Sequence, residues 1–165
     1  MKKTLLALMV ALLSLCAAAQ TRISGTVKCA KPDQFQKIDV GDKPGHAFAI
    51  SQGKCTWTKP INIGGAQTKD DVGTDSIEIN GSLAQSHGYV IGTLTSGDKI
   101  YVRTAGKDTN NKDGNLQSTS GTWSFTGGTG KVAGITGGGT FIGKPDKDGS
   151  VIIEVKGQYT LPKKQ

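Results

Sequence analysis

The stretch from Gly121 to Gly143 constrains the fold more than any other part of the chain, because it combines a strand pattern with nine of the 24 glycines. Trp123 and Phe125 alternate with small polar residues, as a half-buried β-strand requires. Three glycines then predict a turn with positive φ: Gly127, Gly128 and Gly130. Later glycines interrupt a second apolar segment, which is typical of the bends at the corners of a small barrel.

The same glycines do not form a nucleotide-binding loop. A P-loop around Gly130 and Lys131 would need another glycine where Phe125 stands, and Ser or Thr where Val132 stands. A looser dinucleotide pattern beginning at Gly128 would have to open a helix, and the glycines that follow could hardly form one. The sequence therefore predicts no cofactor.

Short strands separated by turn signals fill the rest of the chain, and no apolar stripe with helical spacing persists. The first strand alternates from Ile23 to Cys29, and the last one has an inner face from Val151 to Tyr159. Counting predicts about eight strands, mostly antiparallel between neighbours. The predicted fold is all-β, a single closed antiparallel eight-stranded barrel, with room for side chains or one small ligand.

Several connections between these strands are also predicted. A turn at Gln52 and Gly53 would separate a strand with His46, Phe48 and Ile50 on one face from a strand with Cys55 and Trp57. Further turns and loops are predicted at residues 84–87 and 106–115.

The N-terminus has the pattern of a secretory signal peptide over residues 1–19, which leaves a single domain over residues 20–165. Its apolar run is too short to span a bilayer, so no stable membrane insertion is predicted. Cys16 lies in a lipobox-like segment, but Leu15 stands where a small residue is expected, so lipidation is not predicted. The expected location is secreted or periplasmic in a bacterium.

Removal of the signal would leave two cysteines, Cys29 and Cys55, in an oxidising compartment. They predict one structural disulfide, because no further residues complete a zinc site and nothing marks a catalytic thiolate. No metal site is predicted elsewhere either: Asp108, Asn110 and Asp113 suggest calcium, but the EF-hand spacing fails.

The chain is basic, with a formal net charge of +7. Its lysines are scattered, without an arginine cluster or interleaved aromatic residues, so the sequence does not predict nucleic-acid binding.

Several motifs resemble the barrel shared by allene oxide cyclases and dirigent proteins. Residues 121–123, 125–131 and 134–137 are similar to its GGTGKFxGaxG signature, with Val132 in place of the usual Phe. Residues 41–46, 53–60 and 97–99 resemble secreted bacterial proteins that carry this barrel-like domain. The resemblance implies an eight-stranded antiparallel barrel of calycin-like shape. It transfers no activity, because the matched residues are those that shape the barrel.

Three function hypotheses remain open. The favoured one is non-catalytic binding of a small apolar molecule, in a cavity lined by His46, Trp57, Trp123 and Phe125. The second is a cyclase- or isomerase-like enzyme that steers a reactive substrate, although no catalytic residue can be assigned. The third is a surface or partner-binding protein with a filled core. The sequence does not indicate an oligomeric state.

Overall fold

The structure is a computed structural model that describes residues 20–163, so the predicted signal peptide, Cys16 and the last two residues lie outside the described part. It contains ten strands and one short 3-10 turn at Gly130–Val132. The strands are Thr21–Cys29 (β1), Gln34–Asp39 (β2), His46–Lys59 (β3), Asn62–Ile63 (β4), Ala66–Asn80 (β5), Leu83–Leu94 (β6), Lys99–Asn110 (β7), Leu116–Gly128 (β8), Thr136–Pro145 (β9) and Val151–Thr160 (β10). Within this part of the chain no helix is long and apolar enough to cross a membrane.

Eight of the strands form a closed antiparallel β-barrel, which confirms the predicted fold. Strands β5 to β10 pair in sequence order, β10 pairs with β1, and β3 pairs with both β1 and β5 to complete the ring. The short β4 pairs with the start of β5, and β2 pairs only with β3.

Strand β3 changes partners along one of its edges. Residues 47–52 pair with β2, whereas residues 55–59 pair with β1. A disulfide between Cys29 and Cys55 lies at this change of partner, where the two residues are directly opposite and their Cα atoms are 3.9 Å apart. The predicted bridge is therefore confirmed, and it indicates an oxidising, extracytoplasmic compartment.

The strands are longer than predicted, so two predicted connections are wrong and the third, at residues 106–115, is wrong in its first half. Gln52 and Gly53 do not form a turn, because both pair with β5 inside a continuous β3. Residues 84–87 belong to β6, and the turn lies instead at Gly81, whose φ is +61°. Residues 106–110 extend β7. These polar segments adopt the strand conformation because their backbones pair with neighbouring strands on both sides.

The inward face of β3 also differs from the prediction in its first half. Phe48 and Ile50 are exposed on the outside, whereas Ala47 and Ala49 are buried on the inside. The large apolar side chains were expected on the inner face. Cys55 and Trp57 face the cavity, however, and because side chains alternate along a strand, the residues of the same parity that face inward are the alanines.

One end of the barrel is closed by an apolar cluster. Its buried members are Ile61, Ile63, Leu94, Ile100, Val132, Ile135 and Tyr159. Two connections supply four of these residues, the β4 region between β3 and β5 and the segment around the 3-10 turn between β8 and β9, and the ends of β6, β7 and β10 supply the other three. Gly130 has φ +51°, as its predicted turn requires, but Gly128 has no positive φ. A methyl group at Gly128 would lie 2.6 Å from the Val132 carbonyl oxygen, so close packing explains that glycine.

Candidate functional site

The barrel encloses a cavity of about 330 Å3 above the apolar plug. Every strand of the ring contributes side chains to its wall, and most of them are apolar. This volume lies at the lower end of the range of small-molecule sites. The interior is therefore not filled by side chains, and it can hold one small molecule.

Three of the four residues predicted to line a ligand cavity do lie at its wall: Trp57, Trp123 and Phe125. The rings of Trp123 and Phe125 meet edge to face, with centroids 5.0 Å apart. Trp123 Nε1 donates to the carbonyl oxygens of Thr140 and Lys156, both at 3.3 Å. Because its polar atom is held by backbone, the indole presents an apolar surface to the cavity.

Glycines make room for these indoles. A methyl group at Gly25 would lie 2.8 Å from the ring of Trp57, and one at Gly157 would lie 2.5 Å from the ring of Trp123. The indoles therefore lie directly against backbone, which a side chain at either glycine would prevent.

His46, the fourth predicted residue, does not line the cavity. Its Nδ1 lies 2.6 Å from Asp42 Oδ1, and its Nε2 lies 3.2 Å from Glu78 Oε1. The hydrogen bond with His46 lowers the pKa of Asp42. The imidazole thus connects the loop before β3 to the outer side of β5.

A buried carboxyl group, Asp71, lies deep in the cavity. The residue is only 8% exposed and pairs with Cys55 of β3 and Gly92 of β6. Its Oδ2 accepts a hydrogen bond of 3.0 Å from Trp57 Nε1. Its Oδ1 is buried and has no hydrogen-bond partner within residues 20–163. Burial raises the pKa of Asp71 to about 6, although the bond from Trp57 opposes the rise.

Two further aspartates line the same cavity, farther from the plug by strand register. Asp75 follows Asp71 by two inward positions on β5, and Asp108 lies near the far end of β7. Burial raises the pKa of both carboxyl groups, and the charge of Asp108 raises that of Asp75 further. The hydroxyls of Thr104 and Thr119 lower the pKa of Asp75 and Asp108, respectively.

Each of the two inward-facing aspartates of β5 faces a glycine of β6, which provides the space for its carboxyl group. Asp71 pairs with Gly92, and Asp75 pairs with Gly88. A methyl group at Gly92 would lie 2.9 Å from Asp71 Oδ1 and 2.7 Å from Ile100 Cγ1, and one at Gly88 would collide with the carboxyl of Asp75. The local sequence of β6 thus accommodates inward-facing carboxyl groups.

We expect Gly92→Ala to lower the free energy of unfolding by about 2 kcal/mol, because the methyl group overpacks the site against Asp71 and Ile100. Urea unfolding measures the change. Gly73→Ala is the matched control, since Gly73 also lines the cavity but a methyl group there would lie 3.7 Å from its nearest neighbour, Val90 Cγ2. Equal stability losses in the two variants would contradict this account of Gly92.

None of the three aspartates was predicted as a site residue. Their signal was the alternation itself, because Asp71 and Asp75 have the same parity along the strand as the apolar residues Ile77 and Ile79. Asp108 continues the face of Thr104 in the same way and was considered only as a calcium ligand. Within the described residues no group of three or more His, Cys, Asp or Glu side chains could hold a metal ion.

No protein-family model and no curated protein sequence matches the chain. Five chains of solved structures match it. One is a pyocyanin demethylase, which is 20% identical over 81% of this chain and 98% of that chain, with a TM-score of 0.45. Neither the barrel described above nor the function proposed below depends on this similarity.

Proposed function

We propose that the barrel binds one small, largely apolar molecule in its cavity without transforming it. The observation that carries the proposal is the unfilled interior, closed at one end by the apolar plug and walled by Trp57, Trp123 and Phe125. A protein that worked only through its outer surface would gain stability by filling this space. The cavity therefore supports ligand binding over the filled-core hypothesis.

A cavity-filling variant tests this proposal. Gly73 lies between Asp71 and Asp75 on the inner face of β5, and a methyl group there would make only ordinary van der Waals contacts, the nearest at 3.7 Å to Val90 Cγ2. We expect Gly73→Leu to place its side chain in the cavity and to weaken binding of 1-decanol about tenfold or more, while the barrel keeps its stability because leucine suits a strand better than glycine. Val72→Leu, on the exposed outer face of the same strand, is the matched control.

Tryptophan fluorescence and calorimetry measure the binding, because both tryptophans of the chain line the cavity. One molecule of 1-decanol per chain, with loss of binding in Gly73→Leu and retention in Val72→Leu, is the expected result. Equal binding by all three proteins would place the alcohol outside the barrel and would refute the proposal.

Asp71 favours a second candidate function, an enzyme that steers a reactive substrate. A carboxyl group with a pKa of about 6 and a free oxygen can both release and accept a proton near neutral pH. The test is to incubate small-molecule extracts with the wild type and with Asp71→Asn and to compare them by mass spectrometry. A compound consumed only by the wild type would support catalysis, and identical extracts would oppose it.

We further propose that the chain belongs to the allene oxide cyclase and dirigent barrel superfamily and is secreted or periplasmic, with residues 20–165 as its mature domain. The closed eight-stranded barrel and the glycine motif at residues 121–137 support the family, and the Cys29–Cys55 disulfide supports the compartment. The intact mass of the protein from its source tests the second point. A mass that begins at Gln20 is expected, and a mass that retains Met1 would contradict it.

A further inference from the structure

The charged groups of the cavity wall all have the same sign. The lining residues include three aspartates, Asp71, Asp75 and Asp108, and no lysine, arginine or histidine. The whole chain has the opposite balance, with 20 basic and 13 acidic residues. The acidic interior is therefore not a consequence of composition, and it needs an explanation in terms of what the cavity holds.

Asp71 provides the strongest evidence that a ligand completes the site. One of its oxygens has the hydrogen bond from Trp57, whereas Oδ1 is buried without any donor among the described residues. The strands on either side cannot supply one, because Cys55 is in the disulfide and Gly92 has no side chain. A buried carboxylate oxygen without a partner is costly, so a donor from the ligand would remove a penalty that the protein otherwise carries.

The chemistry of the wall indicates which donor fits best. A neutral hydroxyl could satisfy Asp71 Oδ1, but it would leave three carboxyl groups in one cavity without compensating charge. A cation offers both the missing donor and the missing charge. The aromatic rings of Trp57, Trp123 and Phe125, which line the cavity, also favour a cation over an anion.

We propose that the ligand is an apolar organic cation, with a protonated amine that donates to Asp71 Oδ1 and an apolar body that lies against Trp57 and Trp123. Asp75 and Asp108, farther from the plug, attract the cation on entry and repel anions. The inference rests on the proposed ligand-binding function and specifies its ligand class.

Three molecules with the same alkyl chain test the inference: decylamine, 1-decanol and decanoate, titrated into the wild type near pH 8 with tryptophan fluorescence as the readout. We expect decylamine to bind about tenfold or more tightly than 1-decanol, because it makes a charge-assisted hydrogen bond, and decanoate to bind most weakly.

Two variants test whether Asp71 causes the preference for decylamine over 1-decanol. Asp71→Asn keeps an acceptor for Trp57 but removes the charge, so its affinity for decylamine should fall about tenfold while that for 1-decanol stays within about threefold. Asp70→Asn is the matched control, because the neighbouring carboxyl group is half exposed and does not line the cavity. Both affinities should be unchanged in that variant.

The pH dependence provides a second test that needs no variant. The titratable groups around Asp71 are Asp70 and Asp75 on its own strand and Asp108 on β7, while β3 and β6 place Cys55, in the disulfide, Trp57 and Gly92 against it. Decylamine stays protonated throughout, because an alkylamine titrates near pH 10. Its affinity should fall about tenfold from about pH 8 to about pH 5 as the carboxyl groups become protonated, while that of 1-decanol should not fall.

The outcomes separate this inference from the function on which it rests. Equal affinities for decylamine and 1-decanol, or tighter binding of decanoate, would overturn the cation inference and leave the ligand-binding proposal intact. No binding of any of the three molecules to the wild type would overturn both. A decylamine affinity that is the same in the wild type and in Asp71→Asn, at every pH, would also refute the assigned role of Asp71.

Discussion

Asp71→Asn is expected to raise the free energy of unfolding by about 3 kcal/mol near pH 8, although it alters the most buried carboxyl group of the cavity. Burial raises the pKa of Asp71 to about 6 from 3.8, so ionisation of this group opposes folding at neutral and alkaline pH. Asparagine carries no charge, and its side-chain oxygen can still accept the hydrogen bond from Trp57 Nε1. The variant therefore loses the cost of the buried charge and keeps the contact.

The sign of this effect follows from proton linkage. Between about pH 4 and about pH 6 the folded protein binds the Asp71 proton more tightly than the unfolded chain, so wild-type stability decreases as the pH rises through this window. In Asp71→Asn this decrease should be smaller. A residual slope of the same sign is expected from Asp75 and Asp108, whose pKa values are also raised by burial.

Urea unfolding at several pH values measures both quantities. Asp70→Asn serves as the control, because it removes a neighbouring charge that is half exposed, and it should leave most of the pH slope in place. Loss of stability in Asp71→Asn at about pH 8, or a slope equal to that of the wild type, would contradict the account of Asp71 as a buried charge that opposes folding.

Removal of the disulfide should have an effect of similar size and opposite direction. The bridge connects residues 26 positions apart, and the double variant Cys29→Ala with Cys55→Ala should lose about 3.5 kcal/mol of stability by the chain-entropy argument. The position of the bridge adds a local effect, because it joins β1 to β3 at the point where β3 changes partners. We expect the end of β1 to exchange its amide protons faster in the variant.

Wild-type protein treated with reductant is the control for the double variant, since it keeps both side chains and loses only the bond. Both samples should unfold at similarly lowered urea concentrations. A loss below about 1 kcal/mol in both samples would contradict the chain-entropy argument. It would mean that the unfolded chain is already restricted without the bond.

The stabilising disulfide and the destabilising Asp71 charge together bear on the function of the cavity. On these expectations, the disulfide stabilises the cavity wall by about as much as the Asp71 charge destabilises it, and Cys55 and Asp71 are paired residues. Groups that oppose folding are commonly retained at functional sites. Asp71 is therefore better explained by the proposed ligand than by a contribution to the fold.

Much of the barrel could be predicted because its inner face alternates with large apolar residues. Trp123 and Phe125 have the expected orientation, and the cysteines were paired correctly. Wherever large side chains occupy the inner face, the period of two specifies the register.

The site itself was harder to predict, because along parts of the long strands the inner face is polar or small. Asp71, Gly73 and Asp75 continue an inward face that begins with isoleucines, but their composition is typical of a loop. These residues become strand only through pairing with neighbours on both sides. In the proposed site the polar inner residues would contact the ligand, so the signals for strand and for function conflict at the same residues.

The alternation also misled where large apolar residues face outward. Phe48 and Ile50 are exposed, and the alanines between and before them form the inner wall. His46 shares their face, which explains why a residue expected in the cavity contacts Asp42 and Glu78 instead. The more apolar face of a single strand is therefore not always its inner face, because small residues can form the inner wall of a barrel.

The measurement that tests the central claim most directly is solution NMR of the wild type with 1-decanol, reading the contacts between alkyl protons of the alcohol and side chains of the protein. The account predicts contacts to the indole protons of Trp57 and Trp123, which line the cavity, and none to the outward methyl groups of Val72 and Ile91. Contacts confined to Val72, Ile91 and their exposed neighbours, with unchanged indole signals at saturation, would show that the cavity does not bind the ligand and would contradict the account.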